Sequence, residues 1–319
     1  MTRDKAALTL LHERFGPSRL VHAAELSARA GVDVYLKLEC ELPTGSFKVR
    51  GAFYGLWIRR QAGPVSEVVA ASTGNHGAAV AWAGHELGIP ARIFLPSGAN
   101  AVKSERIRSL GAHLTEVGRD IEDARRAAES YVAGKDALLL DDATNGEVPT
   151  GAGTIGVELI EQLPSVATVV VPVGDSALIR GVAAAVKAAR PNVHVVGVQA
   201  KGAPAYQRSW EAGHVITTET ADTIADGLAT TRPTEPNVAA IRSLVDAMVL
   251  VDENEMLDAM RFLLDAERVE AEPAGAAATA AILRSPGRYA GPVVALVTGG
   301  NVAPEARRLR DDRASALMP

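Results

Sequence analysis

The chain has 319 residues, of which 47% are hydrophobic and only 4% aromatic, and its formal net charge at pH 7 is −5. Because acidic and basic residues are spread along the chain, no basic stripe is available to a nucleic-acid backbone, and we expect a small-molecule partner instead. The single cysteine, Cys40, excludes an internal disulfide bond and a zinc site built on cysteines.

The N-terminal residues 1–5 are mostly polar and charged, and no apolar stretch of signal-peptide length follows them. No apolar run in the sequence approaches the ~20 residues that a membrane-spanning helix needs. We therefore expect a soluble protein of the cytoplasm that has no membrane partner.

Short β-branched segments alternate with helical segments that end in Gly or Pro from about residue 67 onward. This alternation is typical of repeated strand and crossover-helix units, so we predict an α/β fold with parallel sheets. One helix should begin near Gly74 and Asn75 and end before Gly88. The turn-rich stretch 141–153 predicts a loop at a boundary between two lobes. The predicted strands are residues 34–38, 67–71, 91–95, 113–117, 137–140, 168–173, 193–199, 248–251 and 293–297.

Four glycine-containing segments lie where a strand or loop gives way to a helix, and such places bind anions through backbone N–H groups. The first, PTGSFKVRGA at residues 43–52, predicts a rigid turn and a helix start that is capped by Ser46 and has Lys48 in its first turn. A lysine there opposes the helix dipole, so an ordinary solubilising role is not its natural use. The other segments are STGNH at 72–76, GDSALIRG at 174–181 and TGGN at 298–301.

These segments, together with KLE at residues 37–39, resemble the pyridoxal-phosphate enzymes of the tryptophan-synthase-β fold type (fold type II) and, within them, the serine/threonine dehydratases. The resemblance covers nearly the whole chain. It implies two doubly wound lobes with the cofactor between them: a small mobile lobe, residues 49–142, inserted into a larger cofactor-binding lobe, residues 1–48 and 143–319. It also implies a homodimer.

The resemblance assigns roles around the cofactor, pyridoxal 5'-phosphate. It implies that Lys48 forms the Schiff base and later removes the substrate's α-proton, while Phe47 packs against the cofactor ring. It implies that Thr298 bonds the pyridine nitrogen through a neutral hydroxyl, which leaves the ring a weaker electron sink that suits elimination. Glu272 is implied to lie near the cofactor, although a carboxylate that stabilises a helix start explains this residue equally well.

The resemblance also implies how substrate and phosphate are held. Asn75 would reach the cofactor's phenolic oxygen, and His76 would act more through its backbone than through its imidazole. The implied substrate-carboxylate segment is Ser72, Thr73, Gly74, Asn75 and His76, and the implied phosphate segment is Gly174, Asp175, Ser176, Ala177 and Leu178. Dehydratases of the family usually have a run of glycines in the latter, so an ionised Asp175 suits a phosphate only if its carboxylate turns outward.

A metal site is a further expectation. The string DTIADG at residues 222–227 resembles a loop that contributes ligands to a divalent cation in racemase-like relatives. Its two carboxylates, Asp222 and Asp226, together with backbone carbonyls would suit magnesium.

The predicted reaction is elimination of water and then ammonia from a β-hydroxy amino acid, which yields a 2-oxo acid. Serine, threonine, a hydroxyaspartate and an aryl-serine remain open as substrates. A β-replacement enzyme, or one resembling threonine synthase, is the nearest alternative because non-glycine phosphate loops occur in those branches. A racemase is less expected, since racemase-like relatives have a serine where this chain has Thr73. A dinucleotide-dependent oxidoreductase is disfavoured because no strand is followed by the three-glycine fingerprint, and a catalytically silent cofactor-binding regulator stays open.

Overall fold

The computed structural model describes residues 3–99 and 101–316. Met1 and Thr2 of the N-terminal segment lie outside the described residues. None of the described helices is long and apolar enough to cross a membrane. One-turn 3₁₀ helices are found at Glu39–Glu41 and Asp226–Leu228. The other elements, in chain order, are α1 (Arg3–Phe15), β1 (Leu20–His22), α2 (Ala24–Ala30), β2 (Val34–Leu38), α3 (Lys48–Gln61), β3 (Glu67–Ala71), α4 (Asn75–Leu87), β4 (Ala91–Leu95), α5 (Ala101–Ser109), β5 (His113–Glu116), α6 (Ile121–Val132), β6 (Ala137–Leu139), α7 (Val148–Gln162), β7 (Thr168–Pro172), α8 (Ala177–Ala189), β8 (His194–Ala200), α9 (Ala205–Ala212), α10 (Glu235–Leu244), β9 (Ala247–Val251), α11 (Glu253–Ala266), α12 (Pro273–Arg284), β10 (Val293–Val297) and α13 (Pro304–Ala316).

The described strands form a six-stranded sheet of order β1-β2-β10-β7-β8-β9 and a four-stranded sheet of order β5-β4-β3-β6. Neighbouring strands are parallel in every pair except β1 and β2. The strands β7 and β10 lie inside the larger sheet and are buried along their whole length, as expected where helices cover both faces. The predicted α/β fold is therefore confirmed, while the lobe limits at residues 48/49 and 142/143 stay a prediction.

The predicted strands are present within one residue at each end, and α4 begins at Asn75 and ends before Gly88 as predicted. The predicted cap Ser46 is wrong. Helix α3 begins directly after Phe47 without a side-chain cap, and the Ser46 hydroxyl is buried with no hydrogen-bond partner among the described residues. The turn before α3 is instead held by the end of β10, because the Phe47 N–H donates to the carbonyl of Thr298 at 3.0 Å.

The last part of the stretch 141–153 is helix, so the predicted loop is wrong there. Helix α7 already begins at Val148. Its glycines serve close packing: a Cβ on Gly151 would collide with the backbone of Arg50 and Gly51 in α3. On the other side, a Cβ on Gly181 of α8 would collide with the carbonyl of Pro149. The main chains of α3, α7 and α8 therefore touch, which side chains at these positions would prevent.

A buried ion-pair network joins the end of β2 to helices α3 and α7. Arg50 is fully buried, with its Nε 2.8 Å from Oε2 of Glu39 and its Nη1 2.7 Å from Oε1 of Glu158. Nζ of Lys37 lies 2.6 Å from Oε2 of Glu158. Burial acts to raise the pKa of Glu158, but Arg50 and Lys37 outweigh it and lower that pKa to about 2. Because Arg50 comes two residues after Lys48, the network fixes the start of α3.

We predict that Arg50→Leu lowers the free energy of unfolding by about 3–5 kcal/mol, because it removes the ion-pair partner of the buried Glu39 carboxylate and leaves Glu158 with Lys37 but without Arg50. Urea unfolding followed by circular dichroism measures this loss. Arg19→Leu is the control, since Arg19 is 65% exposed and its ion pair with Glu41 should contribute less than about 1 kcal/mol. Equal losses in the two variants would contradict the role of the network.

Candidate active site

One cavity of about 810 Å³ collects residues that follow the carboxyl ends of strands in both sheets. Its walls include the segments after β3, β6, β7 and β10, at the edge where ligands bind in folds with parallel sheets. The structure brings all the site residues predicted from the sequence to this cavity, where their individual roles stay predictions: Phe47, Lys48, Ser72, Thr73, Gly74, Asn75, His76, Gly174, Asp175, Ser176, Ala177, Leu178, Glu272 and Thr298.

Lys48 is the first residue of α3, and its side chain is 18% exposed where it meets the cavity. The turn before it depends on Gly45, whose φ of 62° lies in the left-handed region. A Cβ at Gly45 would also approach Oδ1 of Asn301 to 2.6 Å. The backbone of Ser46 pairs with Gly299 across the same contact. The turn is thus pinned to the segment after β10, and this contact sets the position of Lys48.

The amine of Lys48 lies in a cluster of charged groups. Its Nζ contacts Oδ2 of Asp142, a residue that is buried just after β6. Oδ1 of Asp142 lies 2.9 Å from Nδ1 of His76 in the first turn of α4. Burial acts to lower the pKa of Lys48, but Asp142 and, more weakly, Asp175 outweigh it and raise that pKa. Lys48 is therefore an ammonium group at neutral pH while this contact lasts.

The start of α4 presents backbone N–H groups to the cavity. Gly74 precedes the helix, and its N–H donates to the Ser72 hydroxyl at 3.2 Å. The first N–H groups of a helix have no acceptor within that helix, so this end can bind a carboxylate. The Asn75 side chain is held from two sides: Nδ2 donates to Oε1 of Glu272 at 2.6 Å, and Oδ1 accepts from Nδ2 of Asn301 at 2.7 Å.

The start of α8 forms a second anion cradle. Ser176 precedes the helix with a φ of 72°, a left-handed conformation that glycine adopts with less strain. The carboxylate of Asp175 accepts a hydrogen bond from the Thr230 hydroxyl at 3.0 Å, so it has a partner other than the N–H groups of the helix. Gly174 is needed for a close approach, because a Cβ there would collide with the carbonyl oxygen of Gly227. Ser176 thus adopts a conformation, and Gly174 allows a backbone approach, that are both most favourable for glycine.

Arg180 adds a cation beside this second cradle. Its Nε donates to the Ser176 hydroxyl at 3.1 Å, and its buried Nη2 has no hydrogen-bond partner among the described residues. A buried donor without an acceptor is costly unless a ligand supplies one. Together with the free N–H groups of α8, this donor fits a phosphate. An amine and a phosphate cradle in one cavity suit a phosphorylated carbonyl compound.

Two further predicted residues lie at the ends of their elements. Thr298 follows β10 directly and is almost fully buried where it lines the cavity. Glu272 immediately precedes α12, but its carboxylate is bonded to Asn75 and does not cap that helix. Its position beside the cavity agrees with the implied nearness to the cofactor.

The structure does not support the expected cation site. Among residues 3–99 and 101–316, no group of three or more His, Cys, Asp or Glu side chains is arranged to hold a metal ion. Asp226 lines the cavity, whereas Asp222 is absent from its walls. The two carboxylates that the sequence suggested as partners therefore do not both face this cavity.

Two residues escaped the sequence reasoning. Asp142 was predicted only as part of the stretch 141–153, and Asn301 only as part of the string 298–301. The position of Asp142 just beyond the carboxyl end of a predicted parallel strand was the available signal, since such positions gather at the site. Nothing in the sequence indicated that Asn301 would bond Asn75, because the two residues come from different sheets.

Comparison with known proteins gives consistent results. A family model described as "Pyridoxal-phosphate dependent enzyme" matches residues 11–299. The chain is 38% identical over 283 residues to an L-threonine ammonia-lyase of Thermotoga maritima, covering 89% of this chain and 71% of that protein. It is 33% identical over 289 residues to a serine racemase of Oryza sativa, covering 89% and 85%. Among solved structures, threonine deaminase isoform 2 of Solanum lycopersicum has a TM-score of 0.91 at 30% identity, covering 98% of this chain and 88% of that chain.

We predict that Gly174→Ala weakens binding of added pyridoxal phosphate by about tenfold or more, because the new Cβ pushes the start of α8 away from Gly227. Fluorescence titration of the cofactor-depleted protein measures the affinity. Gly146→Ala is the control, since a Cβ at Gly146 meets no atom within 4 Å. Unchanged affinity in Gly174→Ala would exclude this loop as the phosphate cradle.

Proposed function

The chain belongs to the family of pyridoxal-phosphate dependent enzymes, and on that premise we propose that it is an ammonia-lyase that removes water and then ammonia from a β-hydroxy amino acid. The observation that carries the proposal is the amine of Lys48 in a cavity that also holds two helix N-termini. Relatives named L-threonine ammonia-lyases, at 34% and 38% identity over most of the chain, support L-threonine as the substrate. A fungal L-serine ammonia-lyase, similar at 26% identity with a TM-score of 0.84, supports L-serine.

Four parts of the cavity have roles in the proposed reaction: Lys48, the start of α4, the start of α8 and Thr298. When bound, pyridoxal phosphate supplies an electron sink for the pair left on the substrate's α-carbon. Lys48 would hold the cofactor and, as a free amine, would remove the α-proton. The N–H groups at the start of α4 bind the substrate carboxylate, and those at the start of α8 bind the phosphate. Thr298 offers the pyridine nitrogen a neutral hydroxyl, which favours elimination over transamination.

A racemase is the second candidate. The maize serine racemase structure matches with a TM-score of 0.90 at 30% identity, and the rice serine racemase is also similar. Thr73 lines the cavity and retains a hydroxyl, but its branched side chain is confined to fewer rotamers than a serine. A hydroxyl that is restricted in this way is a poorer donor to the opposite face of a substrate, which ranks elimination first.

We expect the purified parent protein to show an absorbance band from the lysine-bound cofactor and to release 2-oxo acid from L-threonine or L-serine. Lys48→Ala should lose the band and lower the release by about 10²- to 10⁴-fold, because it removes both the attachment point and the base. Spectrophotometry and a coupled 2-oxo-acid assay measure the two effects. Lys187→Ala is the control, since Lys187 lies on α8 in an ion pair with Asp246.

Two outcomes would contradict elimination. A parent that shows the band but releases no 2-oxo acid from either substrate would indicate replacement chemistry or a silent regulator. D-serine formation from L-serine faster than 2-oxo-acid release would indicate the racemase.

We further propose that residues 49–142 move as a small domain against residues 1–48 and 143–319, and that the chain acts as a homodimer in the cytoplasm. The division is supported by the four-stranded sheet, whose strands all lie between Glu67 and Leu139. Closure of this domain would exclude water from the reaction. Saturating L-serine should therefore slow tryptic cleavage within residues 49–142, as read by mass spectrometry. Cleavage at the same rate with and without substrate would argue against closure.

A further inference from the structure

Both ring nitrogens of His76 have a contact, so the imidazole is held in one orientation beside Asp142. Its Nε2 lies 2.8 Å from the carbonyl oxygen of Leu140, and because a carbonyl only accepts, Nε2 carries its hydrogen. Its Nδ1 lies 2.9 Å from Oδ1 of Asp142, close enough for an ion pair. Burial acts to lower the pKa of His76, and Asp142 outweighs it and raises that pKa. His76 can therefore be a second cation on the same carboxylate.

Asp142 is ionised because two cations share it. Burial acts to raise the pKa of this carboxyl group, but His76 and Lys48 outweigh it and hold that pKa well below its usual range. A buried carboxylate that lost its only cation would be strongly destabilising. Because His76 lies 2.9 Å from the same carboxylate, it would still compensate the charge of Asp142 if the Lys48 amine moved away.

A base that works by proton transfer also needs its protonated form to be stable, because the proton has to be held until the leaving group takes it. We propose that Asp142, held in place by His76, is a positioning residue that stabilises the ammonium form of Lys48 while this lysine carries the substrate's α-proton. The inference rests on the proposed elimination. Asp142 acts through Lys48 and does not itself take the proton.

The proton is balanced within this step. The bond between the α-carbon and its hydrogen breaks, its electron pair stays with the substrate, and an N–H bond forms on Nζ of Lys48. When the bond from the β-carbon to oxygen breaks, its electron pair leaves with the hydroxyl group, which takes the proton back from Nζ and departs as water. No separate acid is required.

Other charges act on the same groups, and the test has to separate them from Asp142. Asp175 before α8 and Asp141 after β6 act on Lys48 through space, each less strongly than Asp142. For Arg180 of α8, burial is the larger effect and lowers the pKa, while Asp142 acts through space to raise it. Removing the Asp142 charge alone, without a change of shape, isolates its contribution.

The test is a pH titration of the bound cofactor's absorbance in the holoenzyme, compared between the parent and Asp142→Asn. Without the carboxylate, the midpoint for protonation at the Lys48 nitrogen should fall by about 1–3 pH units, since an opposite charge at this distance favours the protonated form. The kcat for elimination from the amino-acid substrate should fall by about 10²-fold, with KM changed by less than about threefold. Glu122→Gln is the control, because Glu122 lines the same cavity, is 46% exposed and should leave the midpoint unchanged.

Two further variants keep the inference falsifiable if Asp142→Asn does not fold. His76→Gln removes a cation from the same carboxylate, so the midpoint should move to higher pH, opposite to the shift in Asp142→Asn. Asp142→Glu keeps the charge and should restore most of the parent midpoint. An unchanged midpoint in Asp142→Asn and His76→Gln, or shifts of the same sign in both, would overturn the inference. Failure of the proposed function is a different result: a parent holoenzyme that releases no 2-oxo acid.

Discussion

A guanidinium group can leave water only if its positive charge and its donors are matched inside the protein, and the buried Arg50 meets this condition with Glu39 and Glu158. These carboxylates come from the segment after β2 and from α7, so the first turn of α3 has one arrangement that satisfies them. Residues two apart on a helix point about 200° away from each other. With Arg50 directed to the ion-pair network, Lys48 is directed to the opposite side, where the cavity lies. The catalytic arrangement is therefore oriented by charges that never touch a substrate.

The cavity combines two requirements that oppose each other. It has to attract anions, through the starts of α4 and α8, and it has to keep carboxylates near an amine. The structure meets both by giving three of the lining carboxylates a partner: Asp175 has Thr230, Glu272 has Asn75, and Asp142 has Lys48 and His76. The backbone N–H groups are thereby left for ligands. A non-glycine phosphate loop is compatible with this design because Ser176 accepts a left-handed conformation at a cost of roughly 1–2 kcal/mol.

Local patterns in the sequence were sufficient for the strands, for the start of α4 and for the four glycine-containing segments, since alternation and glycine-marked strand ends are short-range signals. The roles of single residues, such as Glu272, were implied only by the resemblance to a known family. Contacts between residues that are far apart in the sequence could not be predicted from such local patterns. Ser46 looked like a helix cap because the contact that replaces it comes from Thr298, more than half the chain away. Glycines in the stretch 141–153 looked like turn residues because the helices that approach them are distant in sequence. The role of Asp142 likewise depends on a lysine that precedes it by 94 residues.

The contacts between the main chains of α3, α7 and α8 have a consequence for the dimensions of the site. Lys48 is the first residue of α3, the proposed phosphate cradle lies at the start of α8, and α7 lies between the two helices with glycines in contact with both. Side chains can change rotamer and so vary the spacing between helices, but peptide backbones in contact cannot. The distance between the Lys48 amine and the start of α8 is therefore fixed by these backbone contacts. A mutation elsewhere can therefore lower the stability of the protein without changing the distance between these two parts of the site.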